Sequence, residues 1–366
     1  MIKNKISDDF FRKAILKGNE DLLNNFSPAV REFQIGCDNL FEITRETEHK
    51  QINDRITKFV LEKTPINSSA CGFVQGKSYY DFLRPHISGY YFLRLDIKKF
   101  FHSIPSYEVK ALLSQFFNNE KNGNKYSALD IAYMSVIHKV SDTHIDKDFR
   151  SKEILPMGFS SSPVISNIIF RKVDILIQKL CEDKGIVYSR YADDMLFSCD
   201  NSNYLHCDQF ERDISIFIST LSLRLKKRKR RATENTISLN GYVVQNKKRE
   251  KGFLHVYKEK PVGSIRLSDK KLKPLKKLAS LLQKQKSPVV IMESLFSLER
   301  RKFINRYGNN WNFYCKYADE QLQNKLKGYR SYLVSLIKYN DKYGCVNVEC
   351  MEKLRALVGV FELNIK

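Results

Sequence analysis

The 366-residue chain has no CxxC pair among its eight cysteines and no apolar run near the roughly 20 residues a bilayer span needs. Its basic N-terminus, MIKNKISDDFFRKAI, lacks an apolar core of signal-peptide length. Scattered thiols fit a reducing compartment better than a disulfide framework or a zinc site, so the expected location is cytoplasmic, away from membranes. No internal repeat and no long linker interrupts the chain, which implies units packed against one another. Acidic residues are the minority charge: 41 Asp and Glu stand against 63 Lys and Arg, a formal +22. Such an excess favours a polyanionic partner over an acidic metabolite. With 42% hydrophobic and 12% aromatic residues, the chain has ample material for a core, which excludes global disorder.

Residues 1 to about 60 carry helical spacing (Phe10, Phe11, Ile15, Leu22, Leu23, then Ile56, Phe59, Val60), with an extended piece from Phe33 to Ile43. From residue 90 the pattern becomes YYFLRLDIKKFFHSI. Here Leu93, Leu95 and Ile97 share one parity while Arg94 and Asp96 share the other, so a strand would point the aliphatics into a core and Asp96 to the opposite face. In ILPMGFSSSPVISNIIFRKVDILIQKL, residues 154 to 180, a loop at Pro156 and Gly158 precedes an amphipathic helix striped by Ile165, Ile169, Val173, Leu176 and Leu180. Ser162 is its expected N-cap and Pro163 its first residue, leaving Gly158 to Ser162 as an N-terminal end suited to phosphate. A helix around 207 to 223, the basic run 226 to 231, and the candidate strands ISLNGYVVQ, FLHVYK and GSIRLS follow. From Asp269 onward the pattern is mainly helical and basic.

The hairpin VYSRYADDMLFSC raises a physical problem. A two-residue turn favours Asn-Gly or Asp-Gly, whereas adjacent Asp193 and Asp194 repel. Two charges about 4 Å apart cost roughly 1 kcal/mol in water and about 4 kcal/mol at an effective dielectric of 20. Divalent cations remove that conflict, since carboxylate oxygens are what Mg²⁺ prefers. With Asp96 as a third carboxylate, such a site holds two ions about 3.5 to 4 Å apart for in-line phosphoryl transfer. Alone, Asp96 reads as a turn or cap residue. The order strand-Asp, loop-helix, hairpin-Asp-Asp describes the palm of a nucleic-acid polymerase.

LRLDIKKFFHSI, LPMGFSSSPVISN and RYADDMLF resemble motifs A, B and C of reverse transcriptases, in particular the bacterial retron, group II intron and defence-associated group. ACGFVQGKSYYD, LSLRLKKRKR, SLNGYVV, GSIRLSDKK and KLKGYRSYL are similar to flanking segments, so the likeness covers roughly residues 30 to 340. It implies an α+β right-hand polymerase fold. The fingers would occupy 1–90 and part of 105–155, a palm built on an antiparallel sheet 91–260, and a helical basic thumb with the C-terminal region 261–366.

The resemblance further implies Asp96, Asp193 and Asp194 as catalytic carboxylates. These would hold two Mg²⁺ ions, with Mn²⁺ a substitute, and the Ile97 backbone would lie beside them. Phe101 would block a ribose 2′-OH, and otherwise reads as a core aromatic. Lys99, Met157, Gly158 and Lys229 would meet the nucleotide. Lys229 would be either a proton donor to pyrophosphate or part of a phosphate-tracking patch. Lys77, Ser162, Asn167, Tyr191, Lys226, Lys227, Arg228, Arg230 and Arg231 would contact nucleic acid; Asn167 reads equally as a polar helix face. The implied partners are dNTPs, a structured non-coding RNA and a DNA product, with a second defence protein or a homo-oligomer.

Two departures stand out. LPMG replaces the usual LPQG, exchanging an amide for an apolar side chain. The basic clamp GK-x-R-x-I has no match in IGCDNLFEITRETEHKQIN, where Arg45 is a displaced substitute and Lys77 takes a family Arg position. The leading expectation is an RNA-directed DNA polymerase in antiphage defence. The alternatives are untemplated or protein-primed DNA synthesis on the same palm, using one of 19 tyrosines, and a non-catalytic RNA-binding scaffold.

Overall fold

The computed structural model describes residues 5–36, 38–121, 123, 125–200, 203–248 and 261–366. The chain divides into two compact units, 1–85 with 91–232, and 86–90 with 233–366. Both mix helices with antiparallel sheet, the α+β class implied by the sequence.

In the first unit a hairpin pairs β1 (Val30–Ile35) with β2 (Asp38–Ile43). The central sheet contains β3 (Tyr91–Asp96), and a small ladder joins β4 (His138–Lys139) to β5 (Glu153–Ile154). The second hairpin is β6 (Val187–Tyr191) and β7 (Asp194–Cys199), and β8 (Arg231–Glu234) completes the order β6-β7-β3-β8. The alternation in β3 behaves as its parity requires: Leu93, Leu95 and Ile97 enter the same core as Ile165, Phe170, Val173 and Ile177 of the 161–183 helix. The buried helix face and the strand's apolar face therefore meet, with Phe170 and Ile177 in the core where Leu176 was expected and Leu176 itself 41% exposed. Arg94 and Asp96 are left on the other face with Asp194 directly across from Asp96.

Two local expectations change. The helix begins at Ser161 with Ser160 preceding it, and no side chain caps it. Ser162 donates instead to the Pro156 carbonyl at 2.6 Å, while Ser160 donates to Asn53 and Asp54. The hydroxyls tie the loop down rather than closing the helix. The hairpin turn, moreover, is Ala192-Asp193, since Asp194 is already the first residue of β7. The positive φ the turn demands falls on Ala192, at 53°. The two carboxylates thus leave the hairpin by different routes, one from the turn and one from the strand.

The second unit contains β9 (Thr236–Leu239), β10 (Tyr242–Gln245) and β11 (Ser264–Leu267) in the order β11-β10-β9. Asn240 and Gly241 both have positive φ, 48° and 91°, as a two-residue type I′ turn needs. FLHVYK lies outside the described residues. Five helices follow, Asp269–Gln283, Pro288–Phe296, Arg300–Tyr307, Trp311–Tyr343 and Val348–Asn364. The 311–343 helix packs on the 288–296 and 348–364 helices, and its Leu322, Leu326, Leu333 and Leu336 are buried. Among the described residues no helix is long and apolar enough to cross a membrane.

Candidate active site

The end of β3 is held on both sides by backbone. Ile97 N–H donates to the Asp193 carbonyl at 3.0 Å, tying the strand to the turn of the second hairpin. Lys98 N–H donates to Arg224, and Lys226 N–H donates to the Asp96 carbonyl at 2.7 Å. The basic segment 224–229 therefore runs alongside the end of β3, and its 227–229 turn brings Lys229 round to Asp96.

These elements surround a cleft of about 320 Å³ whose walls include Asp96, Asp193, Lys226, Lys229, Lys99, Phe101 and Met157. Asp96 is 2% exposed and accepts from Lys229 Nζ at 2.6 Å. Asp194, 7% exposed, accepts from Arg94 Nε and Nη2 on one oxygen, at 2.9 and 2.5 Å. Burial, reinforced by the Asp194 and Asp96 charges, raises the Asp193 carboxyl to about 6. Burial also raises Asp194, with Arg94 opposing it. Lys229 is raised despite its own burial, because Asp96 accepts its proton bond. Charge balance is therefore local for two carboxylates and missing for the third.

Among the described residues no three His, Cys, Asp or Glu side chains are gathered into an ion-binding cluster as they stand. Of the three carboxylates expected to hold ions, Asp194 has one oxygen, Oδ1, engaged by Arg94. Asp96 and Asp193 retain the hard oxygen chemistry that a divalent ion needs.

The loop before the 161–183 helix is clamped at Met157. Its N–H donates to His102 Nε2 at 3.2 Å and its carbonyl accepts from Phe41 N–H at 2.9 Å. Burial, then Lys99 and His144, lower His102 to about 4, which keeps the ring neutral and able to accept. Gly158 has φ 122°, and a Cβ there would lie 2.2 Å from the Phe41 carbonyl, so only glycine lets the loop press on β2.

Several residues expected on nucleic acid are taken up elsewhere. Ser162 and Asn167 are 1% and 2% exposed, and Asn167 donates to the Gly72 carbonyl at 2.9 Å. Gly72 in turn sits against the Ala192 amide, so Asn167 holds the GFVQGK segment on the hairpin rather than facing solvent. Lys77 donates to the Ser68 and Ala70 carbonyls, at 2.6 and 2.8 Å. Arg45 is 89% exposed beside Glu42, outside the cleft lining. Tyr191 packs among Phe73, Tyr79 and Phe82. The basic run divides: Lys226 and Lys229 line the cleft, Arg230 pairs with Glu211 at 2.6 Å, and Lys227, Arg228 and Arg231 are exposed.

The sequence reading missed His102, Asp38, Asn39 and Asp146 as walls of the cleft, and Arg94 as the partner of Asp194. For Arg94 the signal was present, because it shares the parity of Asp96. Lys99 ion-pairs with Asp146 and Asp148, each at 3.2 Å, and lies 4.3 Å from the Phe149 ring centroid. From the segment expected to carry a basic clamp, Asp38 and Asn39 line the cleft. Beneath the hairpin, wholly buried Arg190 binds Asp174 through Nε and Nη2 at 2.9 and 2.8 Å and donates to the Ala192 carbonyl at 3.1 Å. That arrangement supports the turn from inside.

A strand-end aspartate facing a hairpin aspartate across an antiparallel sheet, beside a clamped loop, defines a palm. The family model described as reverse transcriptase (RNA-dependent DNA polymerase) matches residues 44–254, more than half of the chain, and the chain belongs to that family. Within it, the chain is similar to retron reverse transcriptases. The retron Ec83 enzyme of Escherichia coli is 32% identical over 158 residues, 43% of this chain and 47% of that protein. The retron Mx162 enzyme of Myxococcus xanthus is 32% identical over 141 residues, covering 38% and 28%. The retron Ec86 enzyme of Escherichia coli is 27% identical over 151 residues, 41% of each. These matches span about half or less of the relatives' length. Telomerase from Candida albicans aligns with TM-score 0.43 at 12% identity, over 92% of this chain and 61% of that one.

Proposed function

We propose that the chain is an RNA-directed DNA polymerase that extends a primer by nucleotidyl transfer with two Mg²⁺ ions. It would copy a dedicated structured non-coding RNA in cytoplasmic antiphage defence. The observation that carries this reading is the meeting of Asp96 and Asp193 at the mouth of a cleft walled by Phe101 and Met157. Asp193 is a half-buried carboxylate without an ion-pair partner among the described residues, raised to about 6 by desolvation and its acidic neighbours. Asp96, Asp193 and the Ile97 carbonyl are the groups that would hold the ions. When bound, the ions would activate the attacking hydroxyl and stabilise charge on the transferred phosphate.

The chain's own residues do the rest. Arg94 removes Asp194 from competition for ions and braces β7, so Asp194 supports the site from behind. Lys229 neutralises Asp96 until the site is loaded and then stands beside the departing pyrophosphate. Phe101 walls off the position of a 2′-OH, which favours deoxynucleotides. Met157, held by His102 and Phe41, offers the sugar an apolar contact. In this reading β1, β2, β4 and β5 belong to fingers, the sheet around β3 and β7 is the palm, and the helices after residue 261 form the thumb.

The test is DNA synthesis by the purified chain on RNA recovered with it, using Mg²⁺ and dNTPs, followed by sequencing of the product. Complementarity to an RNA segment is expected, with loss of product in Asp193→Asn. DNA unrelated to any bound RNA would favour untemplated synthesis. Full function in Asp193→Asn would favour a scaffold.

A further inference from the structure

The second unit carries an aromatic and basic surface that the proposed chemistry does not use. Phe303 is 5% exposed, and its ring lies 5.0, 5.5, 4.9 and 5.2 Å from those of Tyr307, Phe313, Tyr314 and Tyr317. This knot fixes the end of the 300–307 helix against the start of the 311–343 helix. Its outer rings are open: Tyr307 is 44% exposed, Trp311 49% and Phe313 43%. Three large neighbouring rings held outward by a packed anchor mark an interaction surface.

Charge selects the occupant. The Arg300 guanidinium lies 4.7 Å from the Trp311 centroid and that of Arg306 lies 5.3 Å from Tyr307. From residue 300 to 318 the sequence contains Arg300, Arg301, Lys302, Arg306 and Lys316 and no Asp or Glu. Lys302 is paired with Glu299. An apolar protein face would cover the rings but would desolvate the cations beside them. A nucleic acid offers phosphates to the cations and base faces to the rings. In a duplex the base faces are occupied by stacking, so the fitting ligand is single-stranded.

We infer that Tyr307, Trp311 and Phe313, flanked by Arg300, Arg301 and Arg306, form a stacking platform for single-stranded nucleic acid. This goes beyond polymerisation and does not depend on it.

Trp311 is the only tryptophan in the chain, so its emission reports on this surface alone. An oligoadenylate of about twelve nucleotides, added to the full chain without dNTPs, should quench that emission with an affinity that falls as salt rises. Heparin, with charge and no bases, should leave the emission unchanged. Trp311→Ala should weaken binding of a labelled oligonucleotide about tenfold, and Trp311→Phe should retain most of it. Asp193→Asn should quench like the parent, which separates failure here from failure of the polymerase reading. No quenching, equal quenching by heparin, or unaltered binding by Trp311→Ala with a parental melting temperature would overturn the inference. A concentration-dependent change in emission without oligonucleotide would overturn it in favour of a second copy of the chain.

Discussion

Arg94 reaches one oxygen of Asp194 through both Nε and Nη2, at 2.9 and 2.5 Å, while Asp96, two residues further along the same strand, takes Lys229 at 2.6 Å. Adjacent positions on one sheet face thus carry two separate ion pairs. Asp193 is the member of the triad without one among the described residues.

Removing Arg94 leaves Asp194 buried and uncompensated. Arg94→Met should lower unfolding free energy by about 3 kcal/mol, since breaking a buried pair strands a charge. The double variant Arg94→Met, Asp194→Leu should regain most of that loss. Denaturant melts of the four proteins in the cycle measure the coupling; a single variant as stable as the parent would show that the pair contributes nothing.

At Asp193 and Lys229, charge removal should act in opposite senses. Asp193 is raised to about 6, so ionisation opposes folding above that pH, and Asp193→Asn should stabilise the ion-free protein by on the order of 2 kcal/mol at neutral pH. Lys229→Met should destabilise it in chelator and show a larger rise in melting temperature with added Mg²⁺ than the parent. Calorimetry with and without Mg²⁺ reads both effects.

Acid should loosen the protein below neutrality. His102 is lowered to about 4 by burial, with Lys99 and His144 adding to it, and His49 and His86 are lowered by burial. A histidine whose folded value lies below its unfolded value contributes stability above about pH 6.5 that is lost as pH falls toward the folded value. The histidine contribution should therefore be flat near pH 7 to 8 and decline below 6.5, offset in part below about 6 by protonation of Asp193. His102→Gln should make that decline shallower by about 1.4 kcal/mol per pH unit.

Gly158→Ala should be poorly tolerated, because its Cβ would lie 2.2 Å from the Phe41 carbonyl at φ 122°. The expected cost is about 1–3 kcal/mol. Displacement of Met157 should also raise KM for dNTPs, as read in steady-state primer extension.

Phe101 lines the cleft next to Asp96 and lies 6.5 Å, ring to ring, from Phe73. Phe101→Ala should open the wall and improve ribonucleotide use about tenfold or more relative to deoxynucleotides. Competition between matched dNTP and rNTP measures it, and unchanged selectivity would return Phe101 to a packing role.

Much of the scaffold was legible because it is local. Leu93, Leu95 and Ile97 announced a buried strand face by parity, and Ile165, Ile169 and Val173 a buried helix face, although Leu176 of the same stripe is exposed; ISLNGYVVQ, expected as one strand, is a hairpin that turns at Asn240-Gly241. The N-cap was misread because Ser162 had a better acceptor in Pro156, a carbonyl whose position depends on how the loop folds back. The resemblance implied nucleic-acid contacts for Lys77, Ser162 and Asn167, and in the structure each donates to a backbone carbonyl of the protein.

The sequence by itself determined the local frame, an apolar strand face ending at Asp96 and a hairpin carrying Asp193 and Asp194, while the parts expected of Phe101, the glycine loop and the basic run came from the resemblance to reverse transcriptases. Only the tertiary structure decided which charge meets which. Arg94 and Asp194 are 100 positions apart, and Lys229 and Asp96 are 133 apart. Their pairing follows from the register of β3 on β7 and the path of 224–229 beside them. A one-residue slip in that register would turn the side chains of the shifted strand to the opposite face, so the partner of each carboxylate is a property of the packed sheet.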